Sequence, residues 1–258
     1  MALISEVVTE LHVMSGIEER SIALIARHLR EAGLLSQKGR GRGAAHATPL
    51  DAARLCIALM VNGKLKDAPQ AVVDFGQLRC SAIEVFEQHR YAGLDLQSLC
   101  GVGAEHCFEE GFAGLIGIWG DERALAEIEA RRGSGFWPAM TAETRDELLS
   151  ASVHLAATKY TYVHEALIEA GKLKPGPEPD EDLAGWLKSV QAGLELSERR
   201  TSVSNRYFSG IRTTRAMSVV EIMPLGEVVA GNRPPGYRET DEELTRQHLE
   251  RVQQGVRD

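Results

Sequence analysis

The chain has 258 residues, 43% hydrophobic and 26% charged, with a formal net charge of −8 at pH 7. That length suits one large or two small domains, and the balance is that of a soluble globular chain rather than a disordered one. The acidic total excludes a general polyanion binder, whose whole surface must attract phosphate, but it is compatible with a local basic patch.

Ala2 to Met14 places Ile4, Val7, Val8 and Leu11 on one helical face. No secretory signal is visible there, because Glu6 and Glu10 interrupt the segment. From Ile17 to Ala32 a second helix is expected, with Ile22, Ile25 and Leu29 at spacings of three and four beside Ala26. Ser15 and Glu18 have the spacing of a capping box, and Gly33 is a natural left-handed stop. Its polar positions carry Arg20, Arg27, His28 and Arg30. A loop follows, Gln37-Lys38-Gly39-Arg40-Gly41-Arg42-Gly43, which cannot bury a core. Thr48 then caps a third helix, with Pro49 at its first position and Asp51 three residues after the cap. Leu55, Ile57, Leu59 and Met60 make that helix largely buried.

From Arg27 to Arg42 there are five Lys or Arg against one acid. A basic helix, a basic loop and a second buried helix suit a DNA duplex, with helix side chains in the major groove and loop cations on phosphates. The same residues also fit a solvated helix face followed by a flexible loop. The stretch resembles the winged helix of MerR-type regulators and phage excisionases. Arg27, Glu31, Gly33, Leu34 and Leu35 match the end of the family's helix, and Thr48, Asp51 and Leu55 match the helix after its wing. The usual aromatic pair of the first helix and the Tyr of the wing are absent. The wording around GRGRGAAHATPLDAARL also looks like DNA-binding proteins of phages and prophages. The resemblance implies a winged helix-turn-helix that binds double-stranded DNA. On the residues' own chemistry the contacts are expected from Arg20, Arg27, His28 and Arg30 on the helix and from Lys38, Arg40 and Arg42 on the wing.

Further along, Asp67 to Arg90 is expected to be helical, and Leu94 to Gly103 a connector. Glu105 to Glu129 is apolar with Gly111, Gly114, Gly117 and Gly120, which allow close packing along a helix face or divide the stretch at Gly120-Asp121. Phe108, Phe112, Ile116 and Trp119 form a core if turned inward and a self-association surface if turned outward. Thr141 to Gly171 is expected as one long helix or two. Lys172 to Asp182, with three prolines and four acids, is a linker. A helix from Leu183 to Leu196 follows, then a basic-aromatic run from Arg199 to Arg215 with the alternation of paired strands. Val219 to Val229 is apolar, and Thr240 with Glu243 caps a polar last helix.

Cys80, His89, Cys100, His106 and Cys107 are candidate metal ligands, but they lack the close pair that opens a structural zinc site. There is no GxSxG, P-loop or HExxH motif, so neither an enzyme nor a cofactor is expected. The expected fold is mainly α. It has an N-terminal winged helix-turn-helix domain (1–93), a helical middle domain for oligomerisation (94–171), a linker (172–182) and a small α+β C-terminal segment (183–258). The expected function is a sequence-specific double-stranded DNA-binding transcriptional regulator of phage-like or bacterial type. It is expected to be cytoplasmic, with its four cysteines as free thiols, and a homodimer or higher homo-oligomer. The alternative is an oligomeric phage structural component, such as a small terminase-like DNA-packaging subunit.

Overall fold

The computed structural model describes residues 2–37, 46–61, 64–87, 91–132, 140–145, 149–172, 183–204 and 214–235. The architecture is mainly α with one antiparallel sheet. It begins with α1 (Ile4–Ser15), α2 (Glu19–Glu31), α3 (Pro49–Met60) and α4 (Ala68–Gly76). Strand β1 (Arg79–Val85) leads to α5 (Leu96–Cys100), α6 (Phe108–Gly117) and α7 (Glu122–Arg132). Strands β2 (Met140–Arg145), β3 (Ser150–Leu155) and β4 (Thr158–Val163) precede α8 (Glu165–Lys172) and α9 (Leu183–Ser204). The described chain closes with β5 (Thr214–Ser218) and α10 (Val219–Ala230). The five strands lie in the order β1-β4-β3-β2-β5, and every pair is antiparallel.

The first three helices lie where periodicity and end signals put them. Ile22, Ile25, Ala26 and Leu29 are the buried face of α2, and Gly33 takes φ 74° just beyond its end. Thr48 caps α3 by accepting from the Asp51 amide at 3.1 Å. The expected Ser15–Glu18 box does not form. Ser15 ends α1, and its hydroxyl donates to Leu11 O at 2.6 Å and accepts from Ile17 N at 3.2 Å.

Two expected helices are in part strands. The helical pattern of Val72 and Phe75 stops at Gly76, and Arg79–Val85 runs extended against β4. The stretch expected as a helix from Thr141 to Gly171 is a three-strand meander ending in α8. Within the strands its burial has period two: Met140, Ala142, Thr144, Ala151, Val153, Leu155, Thr158, Tyr160 and Tyr162 are buried, and the strand residues that alternate with them are not. The short helix α5 also replaces part of the expected connector.

The middle of the chain provides the core. Phe108, Phe112, Ile116 and Trp119 are all buried, so these four side chains belong to the core. Each glycine of the run admits a different neighbour. A Cβ on Gly111 would meet the Tyr162 hydroxyl, and one on Gly120 would lie 2.8 Å from Ala230 Cβ. Buried His106 fills the space beside Gly111; its Nε2 and Tyr162 Oη are 2.7 Å apart, and its Nδ1 lies 2.7 Å from Gly103 O. One hydrophobic cluster runs from Ile4 to Val229 and so crosses the boundary expected near residue 93. Among the described residues, no helix is long and apolar enough to cross a membrane.

Candidate nucleic-acid interface

Two helices and a short turn set the site. α1 and α2 are joined by residues 16–18, where Gly16 takes φ 68°. The turn is braced from three sides. The Gly16 amide donates to His12 O at 2.9 Å, His12 Nδ1 donates to Ile17 O at 2.7 Å, and Thr9 Oγ1 donates to Glu19 at 2.7 Å. This fixes the angle at which α2 leaves α1.

With Ile22, Ile25 and Leu29 facing the core, the opposite arc of α2 is open. Arg20, Ala23, Leu24, Arg27, Arg30 and Glu31 are exposed, and His28 is half-buried. Arg20 and Arg30 line the same groove, of about 490 Å³, against Ser5 and Thr9 of α1. Arg27 takes part in an ion pair: its Nε donates to Glu31 Oε1 at 2.8 Å. That hydrogen bond holds the Glu31 carboxyl below its ordinary value and the Arg27 guanidinium above its own. His28 Nδ1 lies 3.8 Å from the other Glu31 oxygen. The four helix residues expected at the interface therefore share one helix, with Arg20, Arg27 and Arg30 on its solvent side. Lys38, Arg40 and Arg42 lie outside the described residues.

The ends of the basic loop are held by α3. Asp51 is buried and binds both: Oδ1 accepts from Ser36 N at 2.7 Å, and Oδ2 accepts from Thr48 N at 2.8 Å and Thr48 Oγ1 at 2.7 Å. Ala47 N donates to Ala2 O at 2.8 Å, and Leu3 bridges His46 in antiparallel sense. One turn after Asp51, Arg54 Nη1 donates to Leu34 O at 2.7 Å, just beyond the end of α2. The guanidinium also binds both oxygens of Glu109 of α6, at 2.9 and 3.0 Å, and Gln77 Nε2 donates to Glu109 at 2.8 Å. Glu109 thus holds Arg54, and Arg54 holds the end of the exposed helix. Sequence reasoning missed Arg54, whose signal was its place as the one charge after Asp51 on a buried helix. Glu109 gave no such signal, because 55 residues separate the partners.

Removing the Asp51 clasp is expected to cost about 2 kcal/mol, since Asp51→Ala leaves the Ser36 and Thr48 amides without their acceptor, while the Thr48 hydroxyl still caps the amide of residue 51. Urea unfolding should show a lower midpoint at unchanged slope.

The other chemistry considered from the sequence is differently placed. Cys56 and Cys107 are buried, and burial pushes Cys107 up to about 11 and Cys100 up to about 12, so these thiols are protonated and inert at neutral pH. Among the described residues no three His, Cys, Asp or Glu side chains gather as metal ligands; His89 lies outside them. In the second basic region, Arg199 pairs with Glu169 at 3.0 Å, and Arg206 and Arg212 lie outside the described residues. Compared with protein-family models, curated proteins and solved structures, the chain matches none.

Proposed function

We propose that the protein is a sequence-specific double-stranded DNA-binding regulator in which α1 and α2 form a helix-turn-helix. The observation that carries this reading is the α2 arc. It is a braced, exposed helix face with three arginines around the small Ala23 and the apolar Leu24, and it stands beside the clasped base of an arginine-rich loop. An α-helix of this kind fits the major groove, where arginines reach guanine and small apolar side chains meet thymine methyls. Arg20 and Arg30, on one groove with α1, suit phosphates, and the loop cations Lys38, Arg40 and Arg42 suit the flanking backbone or minor groove. The net charge of −8 keeps the remaining surface from binding phosphate at large.

The test is duplex binding by the wild type and an Arg20→Ala/Arg30→Ala variant. Both residues are exposed, so the variant should keep its circular dichroism spectrum. It should bind every duplex about 10- to 100-fold more weakly at moderate salt, because phosphate contacts act on all sequences alike. Equal binding by the two proteins would refute the role of α2.

A second reading is an oligomeric packaging subunit of phage type. It is favoured by β1, an edge strand among the described residues, whose Ile83 and Val85, with Phe86 just after it, are 46%, 51% and 52% exposed. Sedimentation separates the two, since a dimer fits the regulator and a larger ring fits the packaging subunit.

A further inference from the structure

Resting on the DNA-binding reading above, we propose that Glu31 is a specificity residue, which holds the Arg27 guanidinium so that its outer edge reads a guanine in the major groove.

The argument begins from a carboxylate in the wrong place. A surface that binds phosphate should exclude acids, yet Glu31 lies within the exposed arc of α2 beside Arg27 and Arg30. Stability does not account for it. The Arg27 and Glu31 side chains are 71% and 56% exposed, and exposed pairs add little. The order is also the less favourable one, with the cation N-terminal to the acid and thus set against the helix dipole.

Geometry gives it a use. Glu31 takes only the Nε of Arg27. Among the described residues neither Nη atom has a partner. A guanidinium offers donors in a rigid fork, and with Nε occupied the Nη1–Nη2 edge remains. That edge matches the O6 and N7 acceptors of guanine. A free arginine on a helix would instead swing to the nearest phosphate, which carries no sequence information. Glu31 opposes this twice: it ties Arg27 down on one side, and its charge repels the backbone. Leu24, one turn before Arg27 and 39% exposed, supplies the apolar contact for an adjacent thymine methyl. The ligand is therefore a duplex with a G·C pair read by Arg27 and a thymine beside it.

The experiment is selection from a random duplex pool by the wild type, Glu31→Gln and Arg27→Ala, followed by affinities for the selected duplex and the unselected pool. The wild type should enrich a site with a fixed guanine, and Arg27→Ala should lose preference at that position alone. Glu31→Gln should bind the unselected pool several-fold more tightly, and its ratio of selected to unselected affinity should fall by about tenfold. No enrichment by the wild type would overturn the DNA-binding reading itself. Enrichment by the wild type with the same ratio in Glu31→Gln would overturn the role of Glu31 and leave that reading standing. All three proteins should give the same circular dichroism spectrum, since the pair is exposed.

Discussion

Glu109→Ala should lower stability by about 3–5 kcal/mol, the usual cost of breaking a buried ion pair by removing one partner. The Glu109 side chain is only 7% exposed and that of Arg54 21%. With Glu109 gone, the Arg54 guanidinium keeps its bond to Leu34 O but loses both oxygens that neutralise it, and Gln77 Nε2 loses its acceptor. At 2–4 °C per kcal/mol for a chain of this size, thermal unfolding should drop by roughly 10 °C. The effect should reach the interface, because Arg54 ties the end of α2 to the core. A bulkier apolar replacement separates charge from volume. Arg54→Met/Glu109→Leu should recover part of the loss, because removing both charges removes the desolvation penalty as well. A double variant as unstable as Glu109→Ala would mean that packing, not charge, dominates this contact.

The second large effect is expected at Gly226 of α10. Alanine is normally the better helix residue by about 1 kcal/mol. Here a Cβ would run into the Ile116 carbonyl oxygen and lie 2.7 Å from Trp119 Cβ. The first obstacle is backbone and cannot rotate away, so α10 must move off α6. Gly226→Ala should therefore destabilise by about 3 kcal/mol, at the upper end of overpacking effects. It should also loosen the N-terminus, since Ala2 N donates to Val229 O at 3.3 Å. Gly193 in α9 is the control: a Cβ there meets nothing within 4 Å, and Gly193→Ala should stabilise by up to about 1 kcal/mol. Thermal melts of the two variants should move in opposite directions. A Gly226→Ala protein as stable as the wild type would show that α10 does not pack this closely.

These contacts explain which parts of the fold were legible. α2 and α3 were, because Ile22, Ile25 and Leu29 repeat with the helical period, and Gly33, Thr48 and Pro49 mark ends through local chemistry. The sheet was not. Its turns use Leu149 and Ala156 at φ 45° and 57°, where glycine or asparagine would have announced a hairpin. Without that signal, an alanine- and leucine-rich segment passes for helix, although Tyr160-Thr161-Tyr162 carries strand-forming residues. The choice between core and self-association surface for the stretch 108–119 was not legible for a related reason. Composition shows that Phe108, Phe112, Ile116 and Trp119 are apolar, but only tertiary packing shows that they face α3, α10 and the sheet. At the candidate interface the exposure of Arg20, Arg27 and Arg30 followed from the apolar stripe behind them. The clasp of Asp51 on Ser36 did not, because it joins residues 15 apart across a loop.

The central claim is that α2 meets the DNA backbone through its own cations. Duplex affinity across a salt series, for the wild type and Arg20→Ala/Arg30→Ala together, tests it most directly. For the wild type, affinity should fall steeply as salt rises. The variant's slope should be shallower by about two, at roughly 0.9 per lost phosphate contact. Identical slopes, or an affinity indifferent to salt in both proteins, would contradict the account.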